Sequence, residues 1–136
     1  MTTAAPRPLP SPVGLAAEWY AHLARGELRF QRCTGCGRWR HPPRHLCAEC
    51  GTDAWEWAGA SGSGTLFSWT VTHQAMHPAF ADALPYAIVV VELEEGVRVV
   101  SGVRGLAPSD LRLGLSLRAE IDQIDDAIGL VYFHPA

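Results

Sequence analysis

Cys33-Thr-Gly-Cys36-Gly37 and Cys47-Ala-Glu-Cys50-Gly51 are two Cys-x-x-Cys knuckles separated by ten residues. Two residues between ligands let one tight turn aim both sulfurs at a single ion, and the following glycine accepts the backbone geometry that turn demands. One knuckle alone is ambiguous between redox and metal roles; two this close predict a zinc ribbon held by Cys33, Cys36, Cys47 and Cys50. Four thiolates saturate a tetrahedral zinc ion, so no position remains for water or substrate and the metal is structural. The competing reading, four reduced thiols or a redox pair, leaves the paired glycines unexplained.

At 136 residues and 48% hydrophobic composition, the chain has room for one small globular unit, with at most a minor subdomain. A formal charge of −3 argues against a surface built to coat nucleic acid. Charge is nonetheless uneven: residues 1–52 carry seven Arg and three acids, whereas residues 53–136 carry four Arg and eleven acids. No charged segment followed by an apolar core opens the chain, and no apolar run approaches the roughly 18 residues of a spanning helix. The protein is therefore expected to be soluble and cytoplasmic, without a membrane partner. In that compartment the cysteines favour metal over disulfides.

Residues 1–12, rich in Pro, are expected to form a flexible tail. Ser11 and Pro12 read as a helix start, with Ser11 as N-cap, and Leu15, Trp19 and Leu23 recur at i, i+4, i+8 in a helix over 13–26 that Gly26 ends. Residues 27–60 hold the ribbon, with strand candidates at Leu28–Gln31 and around Trp55 and Trp57. Ser61 to Gly64 reads as the hinge to a domain over 61–136. There Thr65–His73, Tyr86–Glu94, Val97–Arg104, Leu115–Ile124 and Leu130–Phe133 are five segments rich in β-branched or aromatic residues. Glu95-Gly96 reads as a hairpin turn, Asp125–Gly129 as a second turn, and Pro108–Leu111 as a short helical turn between the third and fourth strands. The expected fold is mainly β: an N-terminal helix, a rubredoxin-like zinc ribbon, then a five-stranded OB-fold barrel.

Arg29, Arg32, Arg38, Arg40 and Arg44 cluster around the cysteines. Zinc with four thiolates carries a net charge of about −2, and offsetting that field is one account of the cluster. The other is a site for phosphate groups, such as those of coenzyme A, or for an acidic partner surface. The six His lack a paired nucleophile, and each reads as a surface or hydrogen-bonded residue. Most of the five Trp read as core. Trp19 and Tyr20, with Arg25 and Arg29 nearby, are the interface candidates; the competing view packs the Leu15, Trp19 and Leu23 stripe on the chain's own ribbon.

The helix, the ribbon with His41-Pro-Pro-Arg44 between its knuckles, Gly62-Ser-Gly-Thr65, Pro85-Tyr86 and the Val-rich strand ending Glu92-Leu-Glu-Glu-Gly96 together resemble the zinc-ribbon and OB-fold family called domain of unknown function 35 (DUF35). The likeness covers residues 13–134 and departs at His41, where an aromatic residue is usual. It implies a non-catalytic accessory subunit, an obligate partner of a thiolase-like, lipid-transfer-type aldolase or thiolase acting on acyl-CoA, including those of steroid side-chain degradation. It also implies acyl-CoA binding, with Arg38, Arg40 and Arg44 as candidate phosphate contacts. A nucleic-acid-binding zinc-ribbon and OB module is the alternative. Base-stacking aromatics in barrel strands two and three would mark it, and there Tyr86 is the only one, close to Glu92, Glu94 and Glu95.

Overall fold

The computed structural model describes residues 6–136, so the first five residues of the expected tail lie outside the described residues. Pro6 to Val13 form no regular element, yet the Arg7 guanidinium lies over the Phe80 ring, 4.9 Å from its centroid. Helix α1 spans Leu15–Ala24. Its N-cap is Gly14, at φ 62, and makes no side-chain capping bond, so the Ser11-Pro12 start expected from the sequence is a correction. The chain enters from an irregular segment that places Ser11 a full turn too early. At the other end Gly26, also left-handed at φ 76, donates its N–H to the Leu23 carbonyl and stops the helix as expected.

A three-stranded antiparallel sheet, ordered β2-β1-β3, follows from β1 (Arg29–Cys33), β2 (Trp39–Arg40) and β3 (Trp55–Gly59). The two-residue β2 has no sequence signature because it is too short to show a period. Gln31 pairs with Arg40 on one side and with Trp57 on the other. The remaining strands, β4 (Ser63–Thr72), β5 (Tyr86–Leu93), β6 (Arg98–Val103), β7 (Ser116–Gln123) and β8 (Gly129–Pro135), close a barrel in the order β4-β5-β6-β8-β7. All neighbours are antiparallel except β6 and β8, joined through Gly102↔Tyr132 and Val103↔Phe133. Closure leaves few free sheet edges, as the OB-type reading required. Ser63 and Gly64, expected in a hinge, are already ladder residues of β4.

Alternation explains the barrel core. Along β5, Ala87, Val89, Val91 and Leu93 point inward and meet Leu66, Val99, Leu117 and Phe133. A bulge between Leu66 and Ser68 breaks β4's register and turns Phe67 to the surface. A short 3-10 helix, Pro78–Ala83, was not legible in the sequence; His77 caps it by accepting the Ala79 N–H at 3.0 Å. The 3-10 turn Pro108–Asp110 stands between β6 and β7 as expected.

Helix α1 is not a free arm. It contacts β8, β7 and β1, and so lies against both the barrel and the ribbon. Leu23 is fully buried and Trp19 is 8% exposed. A Cβ on Gly129 of β8 would come within 2.2 Å of the Leu23 backbone, so the helix sits directly on that strand. Of the two views of the Leu15, Trp19 and Leu23 stripe, the internal one describes Trp19 and Leu23, which pack on the barrel as well as on the ribbon.

Candidate metal centre and its arginines

Each knuckle repeats the same backbone arrangement. Gly37 and Gly51 take φ of 80 and 76, which only glycine adopts at little cost, and each donates its N–H to the carbonyl of the leading cysteine at 2.9 Å. The leading cysteine's own N–H returns to the far side of the turn, from Cys33 to Arg38 O at 2.8 Å and from Cys47 to Thr52 O at 3.0 Å. This pins the two sulfurs of a knuckle to one side of its turn. The sequence expectation about the paired glycines is met.

The four Sγ atoms all lie within 4.8 Å of one another. Cys33 Sγ is 3.5 Å from Cys50 Sγ, and Cys36 Sγ is 3.6 Å from Cys47 Sγ. Those spacings exceed a disulfide bond, about 2.05 Å. They approach the roughly 3.8 Å edge of a tetrahedron with Zn–S bonds of about 2.3 Å. The donor set therefore fits one zinc ion bound by Cys33, Cys36, Cys47 and Cys50.

Burial is divided evenly: Cys33 and Cys47 are buried, Cys36 and Cys50 exposed. The backbone N–H of Cys36 lies 3.4 Å from Cys33 Sγ, and this hydrogen bond favours the thiolate and holds the Cys33 pKa below the usual thiol value. The backbone N–H groups of Cys50 and Glu49 do the same for Cys47, bringing its pKa down to about 6. Each knuckle thus aims backbone N–H groups at its buried sulfur, an arrangement that favours the thiolate form zinc binds, whereas the exposed Cys36 and Cys50, beside those sulfurs, are shifted upward.

The arginines part company in the structure. Arg40 is buried, donates Nε to Gln31 Oε1 at 3.0 Å and Nη2 to Arg44 O at 2.8 Å, and so braces the ribbon from inside. Gln31 Oε1 also accepts the Arg44 N–H at 2.7 Å. Arg38 is exposed and pairs with Glu49 at 3.1 Å, while Arg32 lies over the Trp39 ring. Arg38, Arg40 and Arg44 line one pocket of about 380 Å³, together with Arg98 from the barrel, a residue that sequence reasoning left out. Arg25 and Arg29 turn instead to Glu27, each at 3.0 Å. Tyr20, half-buried, meets Trp19 edge-on.

His41 takes the aromatic role its position calls for. Its ring lies 4.8 Å from that of Trp19 and 5.1 Å from that of Phe30, joining the ribbon to α1. Burial, and then the Arg44 charge, push its pKa down to about 4, so the imidazole is neutral.

A second cavity, about 620 Å³, opens on the barrel and brings the Phe80, Tyr86 and Tyr132 rings together with Ile88 and Arg104. Arg104 lies 3.9 Å from the Tyr132 centroid, and its Nη1 donates to Asp122 at 2.8 Å. No local motif could have shown this site, because each ring comes from a different element.

A four-thiolate ribbon joined to a closed five-stranded barrel defines the class: zinc-ribbon and OB-fold proteins. Residues 21–56 match the family model described as the ChsH2 rubredoxin-like zinc ribbon domain, and residues 57–122 that described as the ChsH2 C-terminal OB-fold domain. The chain belongs to this ChsH2-type, DUF35 family. It is 36% identical over 130 residues to a probable enoyl-CoA hydratase alpha subunit of Thermomonospora curvata, covering 96% of this chain and 40% of the relative. A 3-oxo-4,17-pregnadiene-20-carboxyl-CoA hydratase alpha subunit of Mycobacterium tuberculosis is 38% identical over 93 residues, covering 68% of this chain and 29% of the relative. The chain thus spans less than half the length of either hydratase subunit. A DUF35 domain-containing scaffold protein of Methanocaldococcus jannaschii is 31% identical over 96 residues, covering 70% of this chain and 67% of the relative. Among solved structures, one described as an Ltp2-ChsH2(DUF35) aldolase superposes with a TM-score of 0.83 at 34% identity, covering 93% of this chain and 98% of the matched one.

Proposed function

We propose that this chain is a non-catalytic accessory subunit of a thiolase-like, lipid-transfer-type aldolase or thiolase, and that it supports assembly of the complex and its handling of an acyl-CoA, including those of steroid side-chain degradation. The observation that carries the reading is the likeness to the chain in the Ltp2-ChsH2(DUF35) aldolase, which spans nearly all of both chains. The hydratase relatives share acyl-CoA chemistry in their names but are far longer. The metal site supports a non-catalytic role, because four thiolates leave zinc no coordination position for substrate. The partner surface includes the exposed side of α1 and the chain just after it, where Tyr20, Arg25 and Arg29 remain accessible; Trp19 contributes from beneath as support.

The nucleic-acid alternative has little to stand on. On β5 and β6, Glu92 holds Arg98 in an ion pair at 3.0 Å, and Tyr86 is the only aromatic residue. Those two strands by themselves supply single-stranded nucleic acid one stacking ring, and the Arg98 charge is paired.

The test is to express the tagged chain in its native host and identify what co-purifies, then to assay the chain alone and in complex for acyl-CoA turnover. A thiolase-like protein that co-purifies, with turnover confined to the complex, is the expected result. Turnover by the isolated chain, or single-stranded nucleic-acid binding tighter than about micromolar at physiological salt, would overturn it.

A further inference from the structure

We infer that the outer face of barrel strands β4, β5 and β6 is a protein-docking surface, covered by a partner that presents an apolar knob within a basic rim. The inference rests on the accessory reading, since that partner is its thiolase-like subunit, and it gives the subunit a contact on the barrel besides the one beside α1.

Strand β5 reads Tyr86-Ala-Ile-Val-Val-Val-Glu-Leu93, with Glu92 its only charged residue. An antiparallel strand with one face on the core and the other in water alternates apolar and polar residues, whereas a continuous apolar run belongs to a strand covered on both faces. Ala87, Val89, Val91 and Leu93 fill the barrel core and account for half of the run. The other half, Tyr86, Ile88 and Val90, faces out. Neighbouring strands extend it: Val90 stands between Ser68 and Val100, and Ile88 between Thr70 and Gly102. The β4 bulge adds Phe67, which is 45% exposed, and Val100 is 69% exposed. Helix α1 packs instead on β7, β8 and β1, and so leaves this side open.

The face also holds a socket. The cavity of about 620 Å³ opens where Tyr86 and Ile88 meet the Phe80 and Tyr132 rings. A Cβ on Gly102 would stand 3.1 Å from the Tyr132 ring, so the glycine gives that ring its place against β6. Two arginines lie flat on rings here, and both are already paired. Arg98 bonds Glu92 at 3.0 Å and lies 3.8 Å from the Phe67 centroid, while Arg104 is held by Asp122 and lies over Tyr132. A bulky side chain seated in a pocket of this kind is the usual form of an interface anchor.

Charge selects the occupant. Among the described residues, exposed Asp82, in the 3-10 helix that carries Phe80, and exposed Glu94, just past the end of β5, have no cation within ion-pair distance, and Glu120 shares Arg104 with Asp122. Against them stands Arg7, which lines the cavity and pairs with no carboxylate among the described residues. The rim is therefore net acidic. It repels the phosphates of a lipid surface or a nucleic acid, and a second copy docking face to face would set like charge against like. A different protein, with Lys or Arg around an apolar projection, meets neither penalty.

The experiment measures binding of the zinc-loaded chain to the thiolase-like subunit of the same host, purified separately, by biolayer interferometry. Val100→Gln and Ile88→Gln make the face polar at outward positions, and Leu46→Gln does the same at an exposed ribbon residue. Zinc content and melting temperature establish that each variant is folded, and the more exposed Val100 carries the test if Ile88→Gln does not fold. Binding weakened about tenfold or more by each face substitution, and unchanged by Leu46→Gln, is expected. Asp82→Lys combined with Glu94→Lys should slow association several-fold, and added salt should narrow that difference. Wild-type affinity in both face variants would overturn this inference and leave the accessory reading standing; a wild-type chain that does not bind the subunit would overturn both. A concentration-dependent dimer, or adhesion to anionic phospholipid vesicles, that Val100→Gln abolishes would assign the face to a second copy or to a membrane and overturn the inference as well.

Discussion

In the ribbon, contacts are local and partly polar: the knuckles stand ten residues apart, and Gln31 and Arg40, the two buried polar residues of the described chain, both belong to it. In the barrel the buried side chains are apolar, and pairs such as Val103↔Phe133 join residues far apart in sequence. The ribbon is too small to bury enough apolar surface for itself, so a metal and a hydrogen-bonded Gln31–Arg40–Arg44 network take the place of a core. The barrel closes on a core of alternating aliphatic residues and needs no metal. Helix α1 and His41 couple the two, which makes the junction the place where one region's loss is felt by the other.

The sharpest break between the regions is metal removal. Cys36→Ser should lose zinc and unfold at least residues 28–57, because binding at such a site supplies folding free energy, about 10 kcal/mol or more in small zinc-finger peptides. Hydrogen exchange should then show Phe30 and Gln31 amides unprotected while Val89 and Val91 stay protected. A folded ribbon without zinc would refute the contrast.

Next in size is the coupling through the helix. Trp19→Ala should cost about 3–5 kcal/mol, the range for removing a buried aromatic side chain, and lower the melting temperature of ribbon and barrel together. An unchanged melting temperature, with lost partner binding, would instead restore Trp19 as a surface anchor.

A smaller effect follows from His41. Its folded pKa of about 4 lies below the ordinary 6.5, so the folded state keeps the ring neutral while the unfolded chain takes up a proton. The stabilisation is present above about pH 6.5 and is lost as pH falls toward 4, by at most about 1.4 kcal/mol per pH unit. Acid also releases zinc, so the measurement is the difference between wild type and His41→Phe in melting temperature over that window. Parallel curves would contradict the placement of His41 against Trp19 and Phe30.

The smallest effect tests the helix start. Ser11→Ala should change stability by no more than a few tenths of a kcal/mol, because Gly14 is the N-cap. A loss of about 1 kcal/mol, the usual cost of removing a cap, would return Ser11 to that role.

What could be read from the chain alone was whatever depends on neighbours in sequence. The knuckle spacing and its glycines determined the metal and its four ligands, since the turn geometry is set within five residues. Runs of β-branched and aromatic residues between turn signals located all five barrel strands to within about two residues, and Glu95-Gly96 placed a turn that Gly96, at φ 94, does form. The two-residue β2 and the 3-10 helix after His77 escaped because so few residues carry no period. Tertiary structure alone decided the fate of side chains with two plausible destinations. Trp19 reads equally as anchor or core until Gly129 of β8 is seen to let the helix settle on the barrel. The arginines read as one basic cluster until Arg40 turns inward to Gln31 and Arg98 arrives from the barrel to complete the pocket. In each case the deciding contact joins residues more than fifty positions apart or turns one member of a local cluster away from its neighbours, and spacing along the chain holds no record of either.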